Sequence, residues 1–246
     1  MYALKENIIR SACASKVTYY DKTRVKHLIM RNQMPGLPGN DGQKIMMKRI
    51  YNTDSHVSLD IWYTGINSKI VAFRGTIDCK NVIAFLNDKP RTFSFREYNM
   101  QVHSGILELF GSICDELTDE LEQKTPVGHK NTQHILFCGH SLGGSLAALS
   151  SVYFGMLFHN RYNISCHTFG APMVGDKSLI KVLNEHTKEQ AHVINMKDVI
   201  PLLPLRYEHY NNNIITLYSV GNWIHCHDLD TYIDNLYIHL ESKKLK

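Results

Sequence analysis

The chain is poor in structure-breaking residues, with 15 glycines and 7 prolines among 246 residues. That scarcity excludes a low-complexity or collagen-like chain. Its cysteines, at positions 13, 79, 114, 138, 166 and 226, form no CxxC pair and no dense cluster. Such spacing argues against a zinc ribbon and a small disulfide scaffold, and reduced, mostly buried thiols are expected. A large surplus of one charge is missing too. The 27 Lys and Arg against 23 Asp and Glu leave a net charge of +4, and the densest basic run is the tail Lys243-Lys244-Leu245-Lys246. A nucleic-acid binder concentrates its positive charge in a patch, so nucleic acid is not an expected partner. No apolar h-region follows Met1-Tyr2-Ala3-Leu4-Lys5-Glu6-Asn7; no signal peptide is expected, and an intracellular setting is favoured. Ser141–Phe158 carries no formal charge, yet Gly143, Gly144, Ser145, Ser150, Ser151 and Gly155 interrupt it. It reads as a central close-packed helix, and no transmembrane segment is expected.

What is present is enough apolar material for a core, 43% of residues. The length allows one large domain or two small ones. A helix is predicted over Asn7–Tyr20, followed by a loop rich in turn formers around Pro35–Gly42, so that residues 1–50 form an N-terminal helical arm and loop. Val57, Leu59, Ile61 and Tyr63 alternate with Ser58, Asp60 and Trp62, and Gly65-Ile66-Asn67-Ser68 turns the chain into Lys69–Phe73. This is a hairpin pattern with a buried second strand. Cys79, Val82, Ile83 and Leu86 share one helical face. A strand ends near Val102, and Ile106, Phe110, Ile113, Leu117 and Leu121 mark a longer amphipathic helix. Beyond it, strands at 135–138, 164–169 and 191–196 alternate with helices at 142–158 and 176–187. A hairpin around Ile214–Val220 and a helix near Asp228–Leu240 complete the pattern. Strand–helix alternation of this kind predicts an α/β fold with a mostly parallel central sheet flanked by helices.

The chemistry concentrates at Gly139-His140-Ser141-Leu142-Gly143, a G-x-S-x-G pattern between an apolar strand and a small-residue helix. A serine hydroxyl is a poor nucleophile unless it stands clear of the sheet within reach of a base. A sharp strand-to-helix turn achieves that, and its crowded backbone needs glycine on both flanks. The N–H of Leu142 would then face a developing oxyanion.

An acid and a base should follow the serine in that order. Asp198 comes after Val193-Ile194-Asn195-Met196 and before a proline-containing loop, which suits the acid. Asp176 suits a helix cap, and Asp228, Asp230 and Asp234 fall in the last helix. Beyond Asp198 stand His209, His225, His227 and His239. His227, at the mouth of the final helix, is favoured as base, with His225 as its alternative. His225-Cys226-His227 lacks a second ligand cluster, so no metal site is expected. A second oxyanion donor should come from a loop after an earlier strand; Phe73-Arg74-Gly75-Thr76 supplies one, with Thr76 as the donor.

Five ordered elements now stand together: Phe73-Arg74-Gly75-Thr76, Val102-His103-Ser104-Gly105, Gly139–Gly144, Thr168–Gly175, and Asn195–Asp198 with Val199–Pro204. His227 with Tyr232 closes the set. Over residues 55–235 the chain resembles the class 3 lipases, the fungal triacylglycerol lipase-like family. The resemblance implies a single α/β-hydrolase domain over residues 1–246, no cofactor, and a lipid ester as substrate. It implies Ser141 as nucleophile, His227 as base, Asp198 as its acid partner, and Thr76 with Leu142 as oxyanion hole. It also places a lid at Ile77–Asp88, the segment that would touch a lipid interface. A phospholipase A1 activity and a catalytically silent lipase-like module are the alternatives. Secreted members of the family carry a leader and disulfides, and neither is evident in this sequence.

Overall fold

The computed structural model describes residues 2–30, 36–37, 46–65, 68–76, 82–83, 85–87, 89–123, 133–159 and 161–242. Helix α1 (Tyr2–Val17) and helix α2 (Lys22–Met30) open the chain. Strands β1 (Met46–Tyr51), β2 (Ser58–Gly65) and β3 (Ser68–Phe73) then form an antiparallel run. Strands β4 (Pro90–Phe95) and β5 (Tyr98–His103) pair apart as a hairpin, and helix α3 (Ser104–Gln123) follows. From β6 (Gln133–His140) the strands run parallel. Helix α4 (Leu142–Leu157), β7 (Tyr162–Phe169), helix α5 (Lys177–His186), β8 (Glu189–Asn195) and β9 (Ile214–Leu217) continue the alternation. Helices α6 (Trp223–His227) and α7 (Leu229–Ser242) end the described chain. The seven-stranded sheet has the order β1-β2-β3-β6-β7-β8-β9. An α/β sheet, parallel from β3 to β9, is therefore what the alternation predicted.

Period-two alternation assigns each strand residue to one of two helical layers. Val71, Phe73, Ile135 and Phe137 join α3 and α4 in one core cluster. Ile70, Ala72, Leu136 and Cys138 face the other way, against Cys13, Ala14 and Val17 of α1. Farther along that second face, Phe169, Val193 and Leu217 meet Ile8 of α1 and Leu229, Tyr232 and Leu236 of α7. Each large apolar side chain removed from water in this way contributes about 1.5–3 kcal/mol. Burial on both sides explains why Ile135–Cys138 of β6 reads as a continuous apolar run.

The helix face read from the sequence, Ile106, Phe110, Ile113, Leu117 and Leu121, is buried throughout. Two expectations need correction. The segment Ile214–Val220 is not a hairpin: β9 pairs in parallel with β8, from His192 opposite Ile214 to Asn195 opposite Leu217. Asn213, at φ 49°, turns the chain directly into that pairing, and after Leu217 it leaves the sheet with Tyr218 and Val220 exposed. Residues 1–50 are not only an arm, because β1 begins at Met46 and belongs to the sheet. Ser58, Asp60 and Trp62 do not face solvent; α1 covers that side of β2. Asp60 is neutralised there by Arg49 across the β1–β2 pair, through Nε at 2.6 Å and Nη2 at 2.7 Å. Arg49 also donates to the carbonyls of Val17 and Tyr20, so it satisfies the carboxy end of α1.

The loop at 35–42 lies almost wholly outside the described residues, and the helix stop at 125–128 lies wholly outside them. Cys13, Cys114, Cys138, Cys166 and Cys226 are free thiols. Burial pushes Cys138 and Cys166 up to about 12, which keeps both protonated and unreactive. Among the described residues no helix is long and apolar enough to cross a membrane.

Candidate active site

The site forms at the carboxy ends of the parallel strands, where β6 breaks into α4. Ser141 holds φ 55° and ψ −130°, a conformation strained for any residue with a Cβ. The turn is tight enough that a side chain at Gly139 would strike the backbone of Gly143 and Gly144. A side chain at Gly143 would strike Phe73 and Arg74 at the end of β3. Glycine on both flanks is thus a packing requirement of the elbow. Ser141 N–H donates to the Phe169 carbonyl at 2.9 Å, which ties the strained residue to β7.

His227 ends the one-turn helix α6, whose first turn is capped by Asn222 accepting from His225 N–H at 3.0 Å. Its Nε2 lies 2.9 Å from Ser141 Oγ, and its Nδ1 lies 2.7 Å from Asp198 Oδ2. With Nδ1–H donating to the carboxylate, Nε2 carries the lone pair that faces the serine hydroxyl. Asp198 receives two further hydrogen bonds: Ile200 N–H donates to Oδ1 at 2.9 Å and Tyr232 O–H to Oδ2 at 2.7 Å. Burial and the neighbouring Asp198 hold the Tyr232 hydroxyl well above its ordinary range, so it stays a donor. The same hydroxyl accepts from Asn195 N–H at 3.0 Å. Ser141, Asp198 and His227, the three residues picked from the sequence, therefore meet in one hydrogen-bonded chain.

The other candidates lie elsewhere. His225 is exposed on α6, and His209 bonds the carbonyl of Tyr210. Asp176 caps α5, accepting from Leu179 N–H at 3.1 Å, as expected. Asp230 pairs with Lys16 on the surface. Thr76 and Leu142 both line a pocket of about 430 Å³. Val57, Leu109 and Leu146 give it apolar walls, and Tyr51, His56 and Arg74 a polar margin. A Cβ built on Gly75 would sit 3.3 Å from the Ser141 Cβ, so the end of β3 abuts the elbow. The expected lid lies only partly within the described residues. Within it, Val82 and Leu86 are buried against Ile200 in the loop after Asp198, and Phe85 stacks on His103 with ring centroids 5.0 Å apart.

Two residues of the site were not picked from the sequence. Asn195 donates from Nδ2 to Ser219 Oγ and to the Cys226 carbonyl, linking β8 to α6. His140 bonds the backbone of His227. Nothing in local pattern marks either one, because each acts on a segment distant in the chain.

Fold and site define an α/β hydrolase with a serine–histidine–aspartate chain on a strand–helix elbow. A family model described as lipase (class 3) matches residues 70–208, more than half of the chain, and the chain belongs to that family. Curated relatives include Lipase A of Sodiomyces alcalophilus, 31% identical over 55% of this chain and 39% of that protein. The chloroplastic phospholipase A(1) DAD1 of Arabidopsis thaliana is 25% identical over 65% of this chain and 39% of that protein. The matched part thus spans about two-fifths of these relatives. Among solved structures, the Rhizomucor miehei triacylglyceride lipase superposes with a TM-score of 0.67 at 18% identity, covering 86% of this chain and 78% of that one. The mono- and diacylglycerol lipase from Aspergillus oryzae gives the same TM-score at 18% identity, covering 89% and 79%. These structural likenesses establish the fold.

Proposed function

We propose that the chain is a serine carboxylic ester hydrolase that cleaves acyl esters of acylglycerols through an acyl-enzyme. The observation that carries this reading is the buried contact chain Ser141 Oγ–His227 Nε2 at 2.9 Å and His227 Nδ1–Asp198 Oδ2 at 2.7 Å. Ser141 Oγ attacks the ester carbonyl carbon while His227 Nε2 takes its proton; the carbonyl π electrons move to oxygen. Collapse of that tetrahedral oxyanion breaks the bond to the leaving alkoxide, which takes the proton from His227. A water molecule, deprotonated by the same nitrogen, then hydrolyses the acyl-serine. Asp198 fixes the imidazole tautomer and stabilises its charged form.

The oxyanion is assigned to the backbone N–H of Leu142 and to Thr76. The first N–H groups of a helix have no intrahelical acceptor, and Leu142 opens α4, so its donor is available where negative charge develops. Thr76 lines the same pocket as Leu142, and the apolar walls of that pocket suit an acyl chain. Ser141 and His227 are each 1% exposed, so substrate entry requires a movement. The segment holding Val82 and Leu86 is assigned that movement, since its apolar face covers the loop that carries the acid. Activity on emulsified esters would then exceed activity on dispersed monomers.

Arg74 supports a second reading, phospholipase A1 chemistry. Arg74 is among the residues that line the pocket, its guanidinium 5.7 Å from the Tyr19 ring centroid, and a guanidinium is a ready partner for a phosphate group. The test is hydrolysis of p-nitrophenyl esters of graded length, of emulsified mono-, di- and triacylglycerols, and of phosphatidylcholine, beside Ser141→Ala. No turnover by the native chain, or equal turnover by the variant, would overturn the enzymatic reading and leave a silent lipase-like module.

A further inference from the structure

The carbonyl of His227 closes a one-turn helix, so no later turn of α6 can satisfy it. It is buried, and a buried carbonyl needs a donor. The donor comes from the elbow itself: His140 Nε2 lies 2.8 Å from the His227 oxygen. A carbonyl only accepts, so Nε2 must carry the ring proton. His140 is buried, and burial together with the nearby His227 ring holds it well below the ordinary histidine range, in the neutral form. Its Nδ1 is then a bare acceptor, and the Tyr19 hydroxyl sits 3.0 Å from it. One direction of donation satisfies every atom: Tyr19 O–H to His140 Nδ1, and His140 Nε2–H to the carbonyl of His227.

Tyr19 lies outside the sheet and the elbow, in the turn between α1 and α2. That turn is pinned by its own hydrogen bonds, Tyr19 N–H to Lys16 and Tyr20 N–H to Val17, and by Arg49 on the Val17 and Tyr20 carbonyls. Arg49 is in turn held by buried Asp60. The Tyr19 hydroxyl also packs under Gly75, where a Cβ would strike both it and the His140 carbonyl. The Arg74 guanidinium lies 5.7 Å from its ring centroid. A single side chain from the N-terminal helices thereby touches the elbow and the end of β3, and reaches the backbone of His227 through one intermediate.

We propose that Tyr19 is a positioning residue for the hydrolytic site: through His140 it fixes the backbone of His227, and so the reach of its imidazole to Ser141 and Asp198. The proposal rests on the ester-hydrolase reading above. In this arrangement the amino-terminal helices complete the active site, and the histidine of the G-x-S-x-G turn is the relay that joins them to it.

The experiment compares kcat and KM for a soluble p-nitrophenyl ester in the native chain, Tyr19→Phe, His140→Leu, His140→Gln, the double variant Tyr19→Phe with His140→Leu, and Tyr20→Phe. Tyr19→Phe keeps the ring and removes the hydroxyl, so kcat falls by about five- to twenty-fold as the His227 imidazole loses its fixed placement. KM stays within twofold, and the melting temperature falls by a few degrees, as the loss of one buried hydrogen bond requires. His140→Gln, whose amide nitrogen can stand in for Nε2, retains more kcat than His140→Leu. Adding Tyr19→Phe to His140→Leu brings no further loss, because the relay is already broken. Tyr20→Phe, one residue away, leaves kcat unchanged. Native-like kcat in Tyr19→Phe, or losses that multiply in the double variant, would overturn the proposal. An inactive native chain would instead overturn the ester-hydrolase reading on which it rests.

Discussion

The hydroxyl of Tyr232 donates to Asp198 Oδ2, the same oxygen that receives His227 Nδ1–H, at 2.7 Å in both cases. Two donors on one carboxylate oxygen fix its position more tightly than the histidine could alone. Because the hydroxyl also accepts from Asn195 N–H, Tyr232→Phe removes two buried hydrogen bonds while leaving the ring in place. The expected result is a loss of about 1–3 kcal/mol in stability, since a buried backbone donor is left unpaired. A several-fold fall in kcat should accompany it. Chemical denaturation and ester hydrolysis of the purified variant check the two effects separately.

Much of this site was legible in the sequence because its parts carry local signatures. Ser141 sits between the glycines that the tight packing of the elbow requires, and Asp198 and His227 follow strands or helices in the order the chemistry needs. The burial of β3 and β6 could be read from their runs of apolar residues. What stayed hidden depends on distant partners. Asp60 looked like the polar side of an alternating strand; its burial becomes clear only when Arg49 is seen opposite it and α1 above it. His140 occupied a variable place in a motif, and its role requires knowing that the His227 carbonyl and Tyr19 reach the same spot. The β9 segment has the apolar alternation of a hairpin arm, and pattern alone does not reveal that its partner is β8.

The Arg49–Asp60 pair makes a stability prediction. Asp60 is 0% and Arg49 14% exposed at the side chain, so the pair is shielded from solvent. Replacing one member of such a pair strands the other charge in the interior, which typically costs about 3–5 kcal/mol. Asp60→Asn should lower stability on that scale, as read from denaturant midpoints. It should also loosen the turn at Val17–Tyr20 that Arg49 holds. Asp60→Asn combined with Arg49→Met should recover part of the loss, because no unpaired charge remains.

His167 and Glu189 predict a pH effect on the docking of α1. His167 Nε2 contacts Glu189 Oε1 at 3.1 Å, and its Nδ1 contacts Ser11 Oγ of α1 at 2.9 Å. The hydrogen bond from His167 holds the Glu189 carboxyl below its ordinary value of 4.5. A carboxylate lowered on folding adds stability above its unfolded pKa, and that stability fades as pH falls through the folded value. The native chain should therefore lose stability relative to Glu189→Gln on acidification below pH 4.5. At neutral pH the native chain should be the more stable of the two. Parallel melting curves from pH 7 to pH 3 check this; parallel slopes for the two proteins would contradict it.

The pocket beside Thr76 and Leu142 predicts control of acyl-chain length. Leu109 is half-buried on α3 and forms part of the apolar wall, so a larger side chain can enter the pocket without opening the core. Leu109→Trp should leave kcat/KM for a short p-nitrophenyl butyrate within about threefold of native. For a long-chain ester it should fall by about tenfold or more, since each displaced methylene forfeits part of its burial in the wall. A uniform fall across all chain lengths would place the acyl chain elsewhere in the cleft. The chain-length series on native and variant proteins therefore tests directly whether this cavity is where the substrate's hydrocarbon lies.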